Sequence, residues 1–397
     1  MVTSSALHSR VIELDALRGL AVIGIVWMNV YVFALPAPAY YNPIAYGGET
    51  QLDRIVWAFS FVFIEDKFRT LFAMLFGVGC AILLERGDAR PWRAHFARMA
   101  VLLAIGLLHA TLLASNDVLR AYALAGLALP FVAHLSPIAL ISVSVGLVAV
   151  HIGGGIITFG SGIVDWASGR VSSDVLFFAE RNFGHESNAI RFLLDQGQEG
   201  FGERIARRLD GIPNQLVAVA GSIPINLAAM TLGIALWKNR MLAAEWRTFR
   251  LQRLAALCAV IAIPALLALV WWVAKEGFPG ILVGPSSLII SAPFDIALGL
   301  AYAALAMAFF GAAGSVTRRL AAVGRLSLTN YLLTSVILSA IFAGWGLGLF
   351  GEVSRWQAFA LSFVPIAAML LWSPAWIKSL GHGPFERLWR ASAKILS

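Results

Sequence analysis

Residues 17–35 read Leu-Arg-Gly-Leu-Ala-Val-Ile-Gly-Ile-Val-Trp-Met-Asn-Val-Tyr-Val-Phe-Ala-Leu, and this run decides the fold class. A helix that crosses a bilayer needs roughly 20 mostly apolar residues. The stretch is of that length and carries a single charge, Arg18, close to its start. Glu13 and Asp15 precede it and no small-residue cleavage motif follows. It therefore reads as a first membrane helix and not as a removable leader.

Runs of the same kind recur along the chain. Candidate spans fall at 17–35, 66–84, 97–115, 118–134, 138–160, 214–236, 254–273, 288–312, 325–348 and 354–373. Of the 397 residues, 59% are hydrophobic and only 13% charged, where a soluble domain has about 25%. Too few charges remain to cover a water-facing surface. The expectation is an all-α fold, a polytopic membrane bundle of about ten helices whose natural partners are membrane lipids.

Charge in the loops sets the orientation. Arg10, then Arg86, Arg90, Arg93 and Arg98, share one side with Lys238, Arg240, Arg247, Arg250, Arg253, Arg318, Arg319 and the tail residues Lys378, Arg387, Arg390 and Lys394. The opposite side carries the nearly uncharged loop Pro36–Gln51, the turn at Asn116 and connections near Gly277 and Gly351. The positive-inside rule then places both termini in the cytoplasm. The formal net charge of +8 is spent on these short loops, so no nucleic-acid partner is expected.

Residues 161–213 differ, being polar and mixed in charge. They divide the chain into an N-terminal membrane half (1–160), an extracytoplasmic segment (161–213) and a C-terminal membrane half (214–397), the two halves forming one shared bundle. The segment either lies on the outer membrane surface or lids a cavity. Asp53–Ile64 is ambiguous; the preferred reading is an interfacial or re-entrant helix, with the charges that follow near the outer face. Cys80 and Cys258 both lie in apolar runs, so neither a disulfide nor a metal site is expected.

Several polar residues stand inside apolar runs, where ionisable groups are expensive and tend to face protein or water. Arg18 and Asn29 are eleven steps apart, which returns them to within about 20° of one helix face, roughly 16 Å apart. They form either a polar stripe or a snorkelling arginine with an interhelical amide. His109 precedes Asn116 and Asp117 at a turn. A histidine with a carboxylate beside it can act as an oriented general base, although Asp117 also suits a helix cap. Asp295 lies about two turns into its span and needs a partner, for which His109 or an arginine is expected.

Glu65, Asp66, Lys67 and Arg69 form the densest charge group near any span. They hold a substrate or neutralise one another. Arg325 precedes Ser327, Thr329, Asn330 and Tyr331, a set that fits phosphate binding or an ordinary positive-inside helix start. No P-loop, G-x-S-x-G, H-E-x-x-H or dinucleotide fingerprint occurs. Gly77 and Gly79 read as helix-packing residues.

The stretch Glu13-Leu14-Asp15-Ala16-Leu17-Arg18-Gly19-Leu20-Ala21 through Asn29 resembles the opening of YeiB-like bacterial membrane proteins, the family of domain of unknown function 418. Glu65-Asp66-Lys67-Phe68-Arg69-Thr70-Leu71-Phe72, Gly106-Leu107-Leu108-His109 with Asp117 and Tyr122, and Gly324-Arg325 with Leu328-Thr329-Asn330-Tyr331 carry the likeness onward. It extends through the tail from Gly346 to Trp389. The family is similar to a wider group of transmembrane acyltransferases, among them heparan-alpha-glucosaminide N-acetyltransferase and bacterial polysaccharide O-acetyltransferases.

That resemblance implies an enzyme of the bacterial inner membrane, with acyl-CoA (acetyl-CoA) as donor, no metal, and an extracytoplasmic acceptor such as a carbohydrate. Arg18 and Arg325 would hold the CoA phosphates, with Asn330 and Tyr331 beside them, and Glu65, Lys67 and Arg69 would bind substrate. Asn29, in the position of an asparagine of the heparan enzyme, would hydrogen-bond the acyl carbonyl. No histidine occurs in Val30–Gln51, where that enzyme has its catalytic one, and Thr334 replaces the histidine of the O-acetyltransferases. His109 would therefore serve as base, oriented by Asp117 or Asp295. The competing readings are a transporter or flippase and a non-catalytic membrane partner protein.

Overall fold

The structure, a computed structural model, describes residues 12–85, 91–310 and 314–396. Arg10, Arg86 and Arg90, which enter the charge alternation, lie outside them. Among the described residues every regular element is helical. Eight stretches are long and apolar enough to cross a membrane, and a ninth if one bent pair counts as a span.

The first is α1 (Ile12–Ala34). Its start packs where Gly324 meets the Asp15 backbone, beside Arg325, which bonds the Gly381 carbonyl. Its end reaches Gly351, whose N–H donates to the Ala34 carbonyl. We name these two ends of the bundle the tail face and the cap face. A short helix, α2 (Pro38–Tyr41), follows at the cap face.

Next come α3 (Gln51–Phe63) and α4 (Lys67–Leu84), with only Ile64–Asp66 between them. Thr50 and Asp53 form a reciprocal cap that starts α3. Together α3 and α4 make one apolar passage of 34 residues. This differs from the separate interfacial helix expected for Asp53–Ile64. The interruption is local: Asp66 adopts a left-handed φ of 59°, and side chains satisfy the carbonyls it strands. The Lys67 ammonium donates to the Phe61 carbonyl, and the Tyr302 hydroxyl donates to that of Phe63 at 2.7 Å. Backbone groups at membrane depth must find such internal partners. Phe68 lies beside Gly24, near the middle of α1, so closely that a Cβ there would sit 2.0 Å from its ring. The charge group after Ile64 is thus deep in the bundle, not at its edge.

Helix α5 (Pro91–Leu112) returns to the cap side, and α6 (Val118–Gly126) and α7 (Leu129–Val132) come back. The span expected at 118–134 is two short pieces, because Pro130 has no N–H to continue the ladder. Helices α8 (Pro137–Ala167), α12 (Ile212–Lys238) and α13 (Thr248–Lys275) are long and apolar. Ile157 of α8 is 85% exposed and Val260 of α13 is 73% exposed, as lipid-facing residues should be. Gly77 meets the Met230 backbone and Gly233 meets the Met74 backbone, letting α4 and α12 touch.

Between α8 and α12 lie α9 (Ser173–Phe183), α10 (Ser187–Gly197) and α11 (Phe201–Asp210). They cover the cap face: the Asn42 amide bonds the Phe183 carbonyl at 2.8 Å, and Arg208 bonds that of Thr111 at 3.2 Å. The next passage begins earlier than expected, at α14 (Gly280–Pro285), then a π-helical turn (Ser286–Ile290) and α15 (Ala292–Phe309). Helices α16 (Ser315–Arg325) and α17 (Ser327–Phe342) meet at 80°. The chain ends with α18 (Arg355–Leu361), α19 (Phe363–Leu380) and α20 (Pro384–Leu396). Cys80 and Cys258 are both free.

Candidate functional site

A run of three buried side chains connects α5, the turn after it and α17. His109 Nδ1 lies 2.9 Å from Asp117 Oδ1, and His109 Nε2 lies 2.9 Å from Ser335 Oγ. All three residues are buried. A carboxylate on Nδ1 fixes the proton there and leaves Nε2 as an acceptor, aimed at the serine hydroxyl. The carboxylate is itself held. Asp117 Oδ2 accepts from the Arg120 N–H at 3.0 Å, as cap of α6, and faces the Arg120 guanidinium at 3.7 Å. The Tyr331 hydroxyl donates to Oδ1 at 3.3 Å.

Local sequence makes this approach work. Gly106 is one turn before His109, and a Cβ there would lie 2.7 Å from Asp117 Oδ2 and 2.9 Å from the Arg120 nitrogen. Only glycine lets the turn fold back so tightly. Arg120, buried, spends its remaining donors on Gln215 Oε1 at 2.7 Å and the Ser115 carbonyl at 2.6 Å.

Sequence reasoning paired His109 with Asp117 but missed Ser335 and Arg120. Tyr331, expected near CoA phosphates, belongs with His109 instead; the two rings are 5.0 Å apart. One signal pointed to Ser335. It lies four residues after Tyr331 on one helix face.

Asp295 pairs elsewhere. Its Oδ1 is 2.7 Å from Lys67 Nζ, and the side chains are 4% and 1% exposed. Asp295 Oδ2 accepts from Ser291 at 2.8 Å. This joins the interruption at Ile64–Asp66 to the one around the π-helical turn. Glu65 is buried beside the pair, and among the described residues its Oε1 has no hydrogen-bond partner. Arg69 is held by Asp66 at 2.8 Å, and its carbonyl accepts from the Tyr122 hydroxyl at 2.8 Å. A narrow cavity runs along Asp66, Arg69, Thr70, His151 and Asp295.

At the tail face, Arg18 pairs with Asp15 at 3.1 Å and is about a quarter exposed. Asn330 is committed to packing: its amide donates to the Val323 carbonyl and Ser373, and its oxygen accepts from Trp372 at 3.0 Å. Glu386 of α20 caps α17, taking the Thr329 N–H at 3.0 Å and its hydroxyl at 2.5 Å. Asn29, half-buried in the cap-side half of α1, makes no side-chain hydrogen bond among the described residues. On the cap, partial burial, with Arg204 and Arg207 adding to it, pushes the Arg208 guanidinium down to about 10. Burial, reinforced by the charges of Asp66 and Glu65, raises the Tyr41 phenol above its usual range. Among the described residues no group of His, Cys, Asp and Glu could hold a metal.

Residues 236–395 match the family described as "Protein of unknown function (DUF418)". The chain is 32% identical over 394 residues to "Uncharacterized protein YeiB" of Escherichia coli (strain K12), covering 96% of this chain and 95% of that one. This chain belongs to the YeiB-like DUF418 family. It is also 27% identical over 404 residues to "Uncharacterized protein YxaH" of Bacillus subtilis (strain 168), covering 98% of this chain and 95% of that protein. No solved structure matches it. The DUF418 match contains Asp295, Tyr331 and Ser335 but not Lys67, His109 or Asp117. Each buried cluster therefore joins residues of the DUF418 segment to residues of the N-terminal half, which the YeiB likeness also covers.

Proposed function

We propose that this YeiB-like protein is a membrane acyltransferase. It moves an acyl group from cytoplasmic acyl-CoA to an extracytoplasmic sugar or other small hydroxyl or amine acceptor. The observation that carries the reading is His109, held through Nδ1 by Asp117 and presenting Nε2 to a hydroxyl at 2.9 Å. That is the arrangement of an oriented general base with a proton to take. The tail face, where the basic loops gather, is cytoplasmic in this reading.

Each group then has a task. Arg18 and Arg325 receive the CoA phosphates at the tail face. Asn29 donates to the acyl oxygen as negative charge develops on it. His109 removes the acceptor's proton, and Asp117 steadies the imidazolium. Helices α9–α11 close the cap face over the α5 end, through Arg208 and Thr111.

Binding of acetyl-CoA to the purified protein, lost in Arg18→Ala, followed by turnover lost in His109→Ala, tests the reading. Turnover intact in His109→Ala removes His109 from the mechanism.

A second reading has its own observation. Two passages, α3–α4 and α14–α15, are interrupted at mid-course and meet through Lys67 and Asp295. Transporters build substrate sites at such breaks, with Glu65 and Arg69 as lining groups. Substrate flux without acyl-CoA consumption would favour it.

A further inference from the structure

The hydroxyl at the end of the Asp117–His109–Ser335 run has no role in a direct transfer from donor to acceptor. It occupies the hydrogen-bonding position on Nε2 that an acceptor hydroxyl would need. Ser335 is buried, and its other hydrogen bond is a long 3.5 Å contact to the Tyr331 carbonyl. A carboxylate, an imidazole and a hydroxyl linked in sequence by short hydrogen bonds are the pattern of an activated nucleophile, recognised by geometry and not by chain order. The preceding residue, Thr334, carries a second buried hydroxyl, which has no hydrogen-bond partner among the described residues. The two hydroxyls lie on adjacent positions of α17, whose start is at the tail face.

From this geometry we infer that Ser335 carries the acyl group as a covalent ester between donor and acceptor. The inference rests on the acyl-transfer reading and deepens it. Ser335 Oγ attacks the thioester carbonyl while its proton passes to His109 Nε2. The carbon–sulfur bond breaks, and the CoA thiolate leaves with the proton that His109 holds. An acceptor hydroxyl or amine then attacks the acyl-serine carbonyl and gives its proton to His109. The ester bond breaks, and Ser335 Oγ recovers that proton. Both half-reactions balance with no further reagent, and His109 serves as base and then acid in each. Thr334 is a candidate donor to the oxyanion. Such a relay allows the donor to leave before the acceptor arrives, so the two need not meet within the bundle.

A double displacement has a signature that needs no acceptor. The full-length protein in detergent is given acetyl-CoA and isotopically labelled free CoA. Label is expected to enter the acetyl-CoA pool, and the peptide containing Ser335 is expected to gain one acetyl group. Ser335→Ala should lose both signals while still binding acetyl-CoA. Ser335→Cys provides the check should the alanine variant fold poorly. Its acetyl adduct should become a thioester, cleaved by neutral hydroxylamine where the serine ester survives. Binding of acetyl-CoA without exchange and without adduct overturns the inference and leaves direct transfer by His109. An adduct on another residue, or exchange undiminished in Ser335→Ala, also overturns it. Absence of acetyl-CoA binding overturns the acyl-transfer reading together with this one.

Discussion

The Asp117–His109–Ser335 run and the Lys67–Asp295 pair are both buried, both polar and both assembled from distant parts of the chain, yet they end differently. Charges meet and cancel at Lys67–Asp295, and the lysine spends a further donor on the Phe61 carbonyl stranded by the break. That closes the arrangement: it holds a discontinuous passage together. The His109 run passes instead from carboxylate through imidazole to a hydroxyl, the atom proposed above to carry the acyl group. Burial of charge alone does not mark a reactive site. What marks one is a hydrogen-bond chain with direction, leading to an atom that can change its bonding.

If that contrast is sound, mutations in the two regions should fail in different ways. The largest effect on activity is expected for His109→Ala, a fall of about 10²–10⁴ in acyl-CoA turnover. Its fold should lose less than that of the Lys67 variant below, because Asp117 keeps the Arg120 N–H and the Tyr331 hydroxyl when the imidazole is gone. Lys67→Met should do the opposite. It leaves Asp295 buried without its partner and should destabilise the fold by about 3–5 kcal/mol, seen as loss of monodisperse protein on size exclusion. Adding Asp295→Leu to it should recover most of that loss, because replacing both partners of a buried pair is far milder than removing one. Recovery of turnover but not of stability in the double variant would erase the distinction between the regions.

Asn29→Ala comes next, with a loss of about 10²–10³ in kcat if the amide serves the acyl oxygen. Gly106→Ala separates position from chemistry, since its added Cβ displaces Asp117 from His109 without altering either group. Turnover should fall while acetyl-CoA binding, measured by calorimetry, persists. The smallest effect is expected for Glu386→Gln. It weakens the cap on Thr329 and should lower stability by about 1 kcal/mol with turnover nearly kept.

Most of the fold was legible because the bilayer forces it to be. A run such as 17–35 has few alternatives once lipid is the solvent. The discrepancies arise where tertiary contacts override length. Pro130 splits the run at 118–134, and the passage expected from residue 288 already begins at Gly280 and is broken by a π-helical turn. The depth of Glu65–Arg69 was hidden because hydropathy reports composition and not which neighbour, here Gly24 of α1, a residue packs against.

The site was legible only where its partners are close in the chain. His109 and Asp117 are eight residues apart across one turn, and the pairing was visible. Ser335 is 226 residues from His109, and its spacing from Tyr331 says nothing of the histidine that it meets. Asp295 illustrates the reverse error. The need for a partner was readable from burial, but the partner's identity was decided by the two helix interruptions that bring Lys67 to it.

The cap that Glu386 places on α17 has a consequence for biogenesis. Glu386 follows every membrane passage in chain order, so α17 is synthesised and inserted before its own N-terminus has a cap. The first turn of the helix that carries Tyr331 and Ser335 gains this cap only when α20 docks against it. The same docking joins α5 to the end of the chain through Trp389 and the Arg98 carbonyl, so both helices that frame the His109 run are tied to the last segment made.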